Sequence, residues 1–223
     1  MQALIARYAL MAGDNEKALA ASNRVDLTVR SLFNFDDNAQ NPIFFTAFSN
    51  RNVTEPVNGL FNLPAALVAP TATDRRLAFY FRPTTSATLN LGLGFFTANN
   101  AAIPVYLAGE MLLIRAEVNA RKGDLPTAIV ELNKVLTKTP TTADPVGAGL
   151  TAYTGANTAD AILTEIYRQR CMELFMSGMR LEDTRRFGRP AAGATGSERN
   201  RNWYPYPLIE RTNNRSTPDN PTD

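Results

Sequence analysis

The chain contains no histidine and a single cysteine, Cys171. Those shortages exclude a Cys/His zinc site, a histidine-based catalytic triad and an internal disulfide. Cys171 falls among apolar neighbours at helical spacing and reads as a small core hydrophobe. No apolar run approaches the ~20 residues of a membrane span, and no charged stretch followed by an apolar one opens the sequence as a secretory signal would. Net charge is only +2, so neither nucleic acid nor an acidic membrane is called for as a partner. The cations are mostly arginine and gather late, from Arg168 and Arg170 through Arg180, Arg185, Arg186 and Arg189 to Arg199 and Arg201. Such a run reads as a solvated face with a few ion pairs.

What is present suits one sizeable core: 223 residues, 44% of them hydrophobic. The most organised stretch runs from Thr158 to Gly188. Thr158-Ala159-Asp160 is a helix start signal, and Ile162, Leu163, Ile166, Tyr167, Cys171, Leu174 and Phe175 then recur mostly at three- and four-residue steps. Gly178 supplies a left-handed stop, and a short second helix is predicted from Arg180 to Phe187. Arg170 lies on or beside the apolar face. A buried guanidinium stays charged and costs several kcal/mol unless paired, so a carboxylate must answer it. Glu173, Asp183, Glu110 and Glu117 are the candidates, and together they are predicted to form a structural ion-pair network with Arg170.

Two further segments share a form. Residues 1–29 read as a helical hairpin broken at Gly13-Asp14, and residues 104–138 as a second one broken at Gly123-Asp124. Ala6, Gly13, Asp14, Ala18, Leu19, Asn23 and Val25 align at one fixed offset with Ala116, Gly123, Asp124, Ala128, Ile129, Asn133 and Val135. Small alanines beside a Gly-Asp break resemble tetratricopeptide (TPR) hairpins, in which two helices approach closely. The helix of the second copy is apolar around most of its circumference and is expected to be central. Glu110 and Glu117 are about 10 Å apart on it, on the order of an inverting glycosidase's spacing. Two turns of a buried helix near arginines is more simply an ion-pair network, so no catalytic residue is assigned.

Between the hairpins, residues 30–103 lose all helical period. They are rich in Asn, Thr, Pro and Phe, which predicts loops, short strands and at most one short helix. Residues 139–157 form a second loop. The C-terminal residues 189–223 carry Trp203, Tyr204, Pro205, Tyr206, Pro207 and Leu208. The two prolines impose an extended path there, and Tyr204, Tyr206 and Leu208 are predicted to lock the tail onto the helical core.

Arg170, Glu173, Leu174, Phe175, Gly178, Arg180, Asp183, Arg186 and Gly188, at these spacings, resemble the signature helix pair of the SusD/RagB family. Tyr106, Leu107, Gly109, Glu110, Leu113, Arg115, Ala116 and Glu117 match the same family, as does the closing Pro-x-Pro, Glu, Asn pattern. Gln169 departs from it, standing where a glutamate usually precedes the arginine. The resemblance implies a single, mainly α domain of TPR-like hairpins with an irregular insert and an extended tail. It also implies an outer-membrane nutrient-binding lipoprotein, working beside a SusC-like TonB-dependent transporter at the cell surface. Family members are longer and begin with a lipoprotein signal, so this chain resembles their C-terminal part.

Under that reading the chain is not an enzyme, needs no cofactor or metal, and binds a glycan or a peptide. Shallow sugar sites stack aromatic faces on the rings and bond hydroxyls with amides and guanidinium groups. The insert offers Phe48, Asn50, Arg51, Asn52, Tyr80 and Arg82 for this, with Trp203 outside it. The alternative is a TPR-like adaptor that binds a peptide in a helical groove. Because Ala3, Leu4, Tyr8, Leu10 and Met11 leave residues 1–29 without a polar cap, that hairpin is also expected to expose an apolar patch and to self-associate.

Overall fold

The computed structural model describes residues 1–49, 60–82, 91–92 and 94–221, the side chains of residues 47–49, 82, 91 and 92 excepted. The first unit spans Met1–Phe175. Its helices are α1 (Gln2–Met11), α2 (Asn15–Asn23), α3 (Arg75–Tyr80), α4 (Ala108–Lys122), α5 (Leu125–Leu136) and α6 (Ala159–Glu173). The protein is mainly helical, and α4 is its hub: it packs against α1, α2, α5 and α6.

Both hairpins turn by the same local device. Gly13 adopts φ +80° and Gly123 φ +86°, a left-handed conformation that costs glycine nothing. The N–H of Gly13 bonds to the carbonyl of Leu10, and that of Asp14 reaches back to Ala9; Gly123 and Asp124 repeat this with Ala120 and Asn119. This is the Schellman closure of a helix end. The same aspartate then opens the next helix, its carboxylate accepting from the backbone N–H of Lys17 in one hairpin and of Thr127 in the other.

Two apolar clusters among the described residues of this unit bear on the site. One is rich in alanine: Ala3, Ala6, Ala9, Leu10, Ala18 and Ala21 of the first hairpin meet Met111, Ile114 and Val118 of α4. Small side chains let the helices close on one another while larger ones from α4 fill the space between. The other is aromatic. Phe61, Tyr80, Phe81, Val146 and Met172 form it, with Phe79, Phe95 and Phe175 packed against them. The rings of Phe61, Tyr80 and Phe175 lie edge to face, with centroids 5.4–5.9 Å apart.

The insert is an excursion with a closed stem. β1 (Leu32–Phe33) pairs antiparallel with β4 (Ile103–Pro104), Leu32 opposite Pro104. Val105 N–H bonds to the carbonyl of Ser31, and the Tyr106 hydroxyl to that of Val29. Within the excursion lie a π-helix (Phe44–Ser49), α3, and a second antiparallel pair of β2 (Phe81–Arg82) and β3 (Leu91–Gly92). Two short helical pieces stand where the sequence predicts at most one. Asn41 builds the π-helix locally: its side chain accepts from the N–H groups of Ile43 and Phe44 and donates to the carbonyls of Phe95 and Ala101.

The second unit, Met176–Asp223, contains α7 (Arg180–Arg186) and α8 (Leu208–Asn213). Within this unit Tyr204, Tyr206 and Leu208 are exposed, at 64%, 38% and 76%. Pro207, at φ −52° and ψ 138°, keeps the extended path that the two prolines predict, and α8 begins only at the next residue; none of α8's residues is buried.

Candidate functional site

Three donors converge on Glu173, the last residue of α6. Its Oε1 accepts from Lys138 Nζ at 2.8 Å and its Oε2 from Arg76 Nη1 at 3.3 Å. Its backbone carbonyl accepts from the Tyr80 hydroxyl at 3.2 Å. Arg76 is held on its other side by Asp74, whose two oxygens take Nε at 3.0 Å and Nη2 at 2.7 Å. Asp74 is also the N-cap of α3, so one side chain starts the helix and orients its arginine. Lys138 is shared with Asp144 at 3.0 Å. On the remaining side is the backbone of α4: a Cβ added at Gly109 would lie 1.9 Å from Glu173 Oε1. A glycine is what lets that carboxylate lie against the helix.

Arg76 and Glu173 have no side-chain exposure. Burial works against the charge of Arg76, but Asp74 and Glu173 outweigh it and hold its pKa above the ordinary value. Burial likewise opposes the charge of Lys138, and Glu173 and Asp144 together more than offset it. The Tyr80 hydroxyl is pushed up, first by burial and then by the nearby Glu173 charge. Arg76 and Lys138 therefore stay charged, and Tyr80 neutral, across physiological pH. Such an arrangement fixes the insert, the segment after α5 and α6 to one another.

Sequence reasoning found Glu173 but not Arg76, Asp74 or Lys138. The Asp-Arg-Arg start of α3 was the available signal. Gln169, the departure from the expected glutamate, has a clear role: its Oε1 accepts from Arg76 Nη2 at 2.7 Å and its Nε2 donates to Glu165 at 2.6 Å. The other carboxylates of the expected network are engaged as well. Glu110 takes Arg7 at both oxygens, each at 2.6 Å. Glu117 takes Arg121 at 3.0 Å, and Asp183 takes Arg186 at 2.7 Å within the second unit. Arg170 is 3% exposed.

The expected ligand residues fare differently. Tyr80 is 2% exposed, wrapped by Phe61, Phe79 and Phe175, and its hydroxyl is spent on Glu173. It is a core residue and not a stacking platform, because α3 turns it inward beside the arginine. Asn50, Arg51 and Asn52 lie outside the described residues. Phe48 is placed in the π-helix and Arg82 in β2 opposite Leu91, their side chains again outside the described residues. In the second unit, Trp203 is 45% exposed, with the Arg185 guanidinium 3.7 Å from its ring centroid and Arg185 in turn bonded to Glu182 at 2.8 Å.

A stack of helical hairpins thus carries an aromatic-cored insert, riveted to it by a buried arginine. The chain belongs to the SusD family, whose model matches residues 32–222. Among solved structures it is similar to a SusD superfamily protein from Bacteroides fragilis, with 18% identity and a TM-score of 0.58, covering 95% of this chain and 54% of that one. It is also similar to a SusD-like carbohydrate binding protein from Bacteroides vulgatus ATCC 8482, with 18% identity and a TM-score of 0.51, covering 84% and 44%. The chain therefore spans about half the length of these solved relatives. No curated protein gives a significant match. No helix among the described residues is long and apolar enough to cross a membrane.

Proposed function

We propose that this chain is part of a surface nutrient-binding protein that captures a glycan or peptide and hands it to a SusC-like TonB-dependent transporter in the outer membrane. The family match over residues 32–222 carries the reading. The carbohydrate-binding protein from Bacteroides vulgatus, similar in fold, supports a sugar ligand over a peptide. The role is binding and not catalysis: Glu110, Glu117, Glu173 and Asp183 each hold a cation, which suits a scaffold. With Arg170, these four form the structural ion-pair set. Ligand contacts are proposed at Phe48, Asn50, Arg51, Asn52 and Arg82 of the insert.

Affinity electrophoresis through gels containing soluble starch, xylan, mannan or pectin tests the proposal. At least one polysaccharide should retard the chain without being hydrolysed, and Arg51→Ala together with Asn52→Ala should abolish the retardation. Hydrolysis that Glu110→Gln or Glu117→Gln removes would overturn it; free migration in every gel would overturn the preference for a sugar over a peptide.

A further inference from the structure

Between Met176 and Asp223 eight arginines stand against six acidic residues, so the chain's whole net charge of +2 lies in the second unit. Arg185, Arg186 and Arg189 are held by Glu182, Asp183 and Glu198. Arg201, Arg211 and Arg215 are exposed and form no ion pair among the described residues. Between Arg201 and Arg211 lie five large apolar side chains within seven residues, and every one is exposed: Trp203 at 45%, Tyr204 at 64%, Tyr206 at 38%, Leu208 at 76% and Ile209 at 72%. The backbone that carries them closes on itself. Tyr206 N–H donates to Asn220 Oδ1 at 3.0 Å, and Asn214 Nδ2 and Thr217 Oγ1 both donate to Glu210 Oε1, at 2.6 and 3.3 Å. Trp203 is fixed as well, with the Arg185 guanidinium against its ring. Single exposed apolar residues are ordinary, but a contiguous exposed set on a closed loop marks an interaction surface.

We infer that residues 201–215 form a docking surface for a membrane whose headgroups carry phosphate. Leu208 and Ile209, adjacent at the head of α8, enter the boundary of the acyl chains. Trp203, Tyr204 and Tyr206 take the headgroup level, which suits an apolar ring with a polar edge. Arg201, Arg211 and Arg215 meet the phosphates, their stems lying along the apolar layer. The mixture of side chains selects this occupant. An acidic polysaccharide would use the rings and the arginines, but it has nothing to set against Leu208 and Ile209, the most exposed of the five. An apolar groove on a protein would take the aliphatic pair but gives no reason for three unpaired charges of one sign. An anionic lipid surface uses all of them. Binding through so small a patch is reversible and falls as salt rises. It leaves the ligand proposed for the insert untouched, so vesicle binding and gel retardation fail independently.

Trp203 is the chain's only tryptophan, so its emission reads the surface directly. The full chain is titrated at low salt with vesicles of phosphatidylglycerol and phosphatidylcholine in equal parts. Emission should shift to the blue and be quenched by brominated acyl chains. Each arginine near an anionic surface strengthens binding roughly fivefold, so Arg201→Gln, Arg211→Gln and Arg215→Gln together should weaken it on the order of a hundredfold. Vesicles of phosphatidylcholine alone, which carry no net charge, should bind the unaltered chain more weakly by about the same factor. Leu208→Ser with Ile209→Ser should abolish the quenching while leaving part of the salt-dependent binding. All five side chains are exposed, so the fold of the unit does not rest on them. An emission spectrum unchanged by anionic vesicles would overturn the inference, as would equal binding to both kinds of vesicle. So would a blue shift given by polygalacturonate and not by vesicles, which would make the surface a glycan site. A dimer that Leu208→Ser and Ile209→Ser dissolve would also overturn it, since a second copy would then be the occupant.

Discussion

The two hairpins of this protein turn alike and live differently. Asp14 and Asp124 share backbone angles within a few degrees, φ −82° and ψ 78° against φ −81° and ψ 72°. Yet α4 is buried along most of its length, whereas α1 buries only Ala3, Ala6, Ala9 and Leu10. A Gly-Asp pair at a helix end thus specifies a corner whatever surrounds it, because its hydrogen bonds close within six residues. What the helix contributes to stability depends on which neighbours arrive, and that is set by its place in the stack.

Four experiments bear on that contrast. The largest effect belongs to the α4 side. Glu173→Ala should cost about 3–5 kcal/mol in urea unfolding, because Arg76 is left buried with half its compensation gone. Gly109→Ala, which drives a methyl into the same carboxylate, should be less harmful in the Glu173→Ala background than alone. A simple sum of the two losses would remove Glu173 from its place against α4.

Next come paired positions in the two hairpins. Ile114→Ala should cost about 2–5 kcal/mol and its counterpart Leu4→Ala under about 1 kcal/mol, by the same denaturation curves. Equal losses would mean that α1 is as fully covered as α4. The corners should not differ at all: Asp14→Ala and Asp124→Ala should each cost about 1 kcal/mol, so two unequal values would show that the turns are not locally governed.

The smallest effect is a pH dependence. The Lys138 pKa is raised in the folded state, so its contribution is fully present below its ordinary value of 10.5 and is lost as pH climbs through the higher folded value. Wild type should therefore lose more stability than Lys138→Met above that point. Parallel curves for the two proteins would contradict the bonds to Glu173 and Asp144.

Much of this was legible in the chain itself. The caps at Asp14, Asp124 and Thr158, and the apolar periods of α4 and α6, are signals carried within a few residues. The Arg76–Glu173 bond was not legible, since it joins residues 97 apart and only the packed insert brings them together. The ion-pair reading of Glu110 missed Arg7 for the same reason, a separation of 103 residues. Tyr80 was misread because an aromatic next to an arginine fits a sugar site and a core corner equally well. Only the inward turn of α3 decides between them.

The stem formed by β1 and β4 has a consequence for how such a protein diversifies. The chain leaves the helical stack near Ser31 and rejoins it at Val105, between residues that are already hydrogen-bonded neighbours. The entropy of closing a loop grows only with the logarithm of its length, so each doubling costs about 0.6 kcal/mol once the ends are pinned. The exposed turns of the excursion can therefore change length at small thermodynamic cost, provided the Asp74-Arg76 pair still finds Glu173 and the rings of Phe61, Tyr80 and Phe81 keep their places in the core. The stack is in this sense a socket pinned at a few points, and the turns between the pins are where sequence is free to drift.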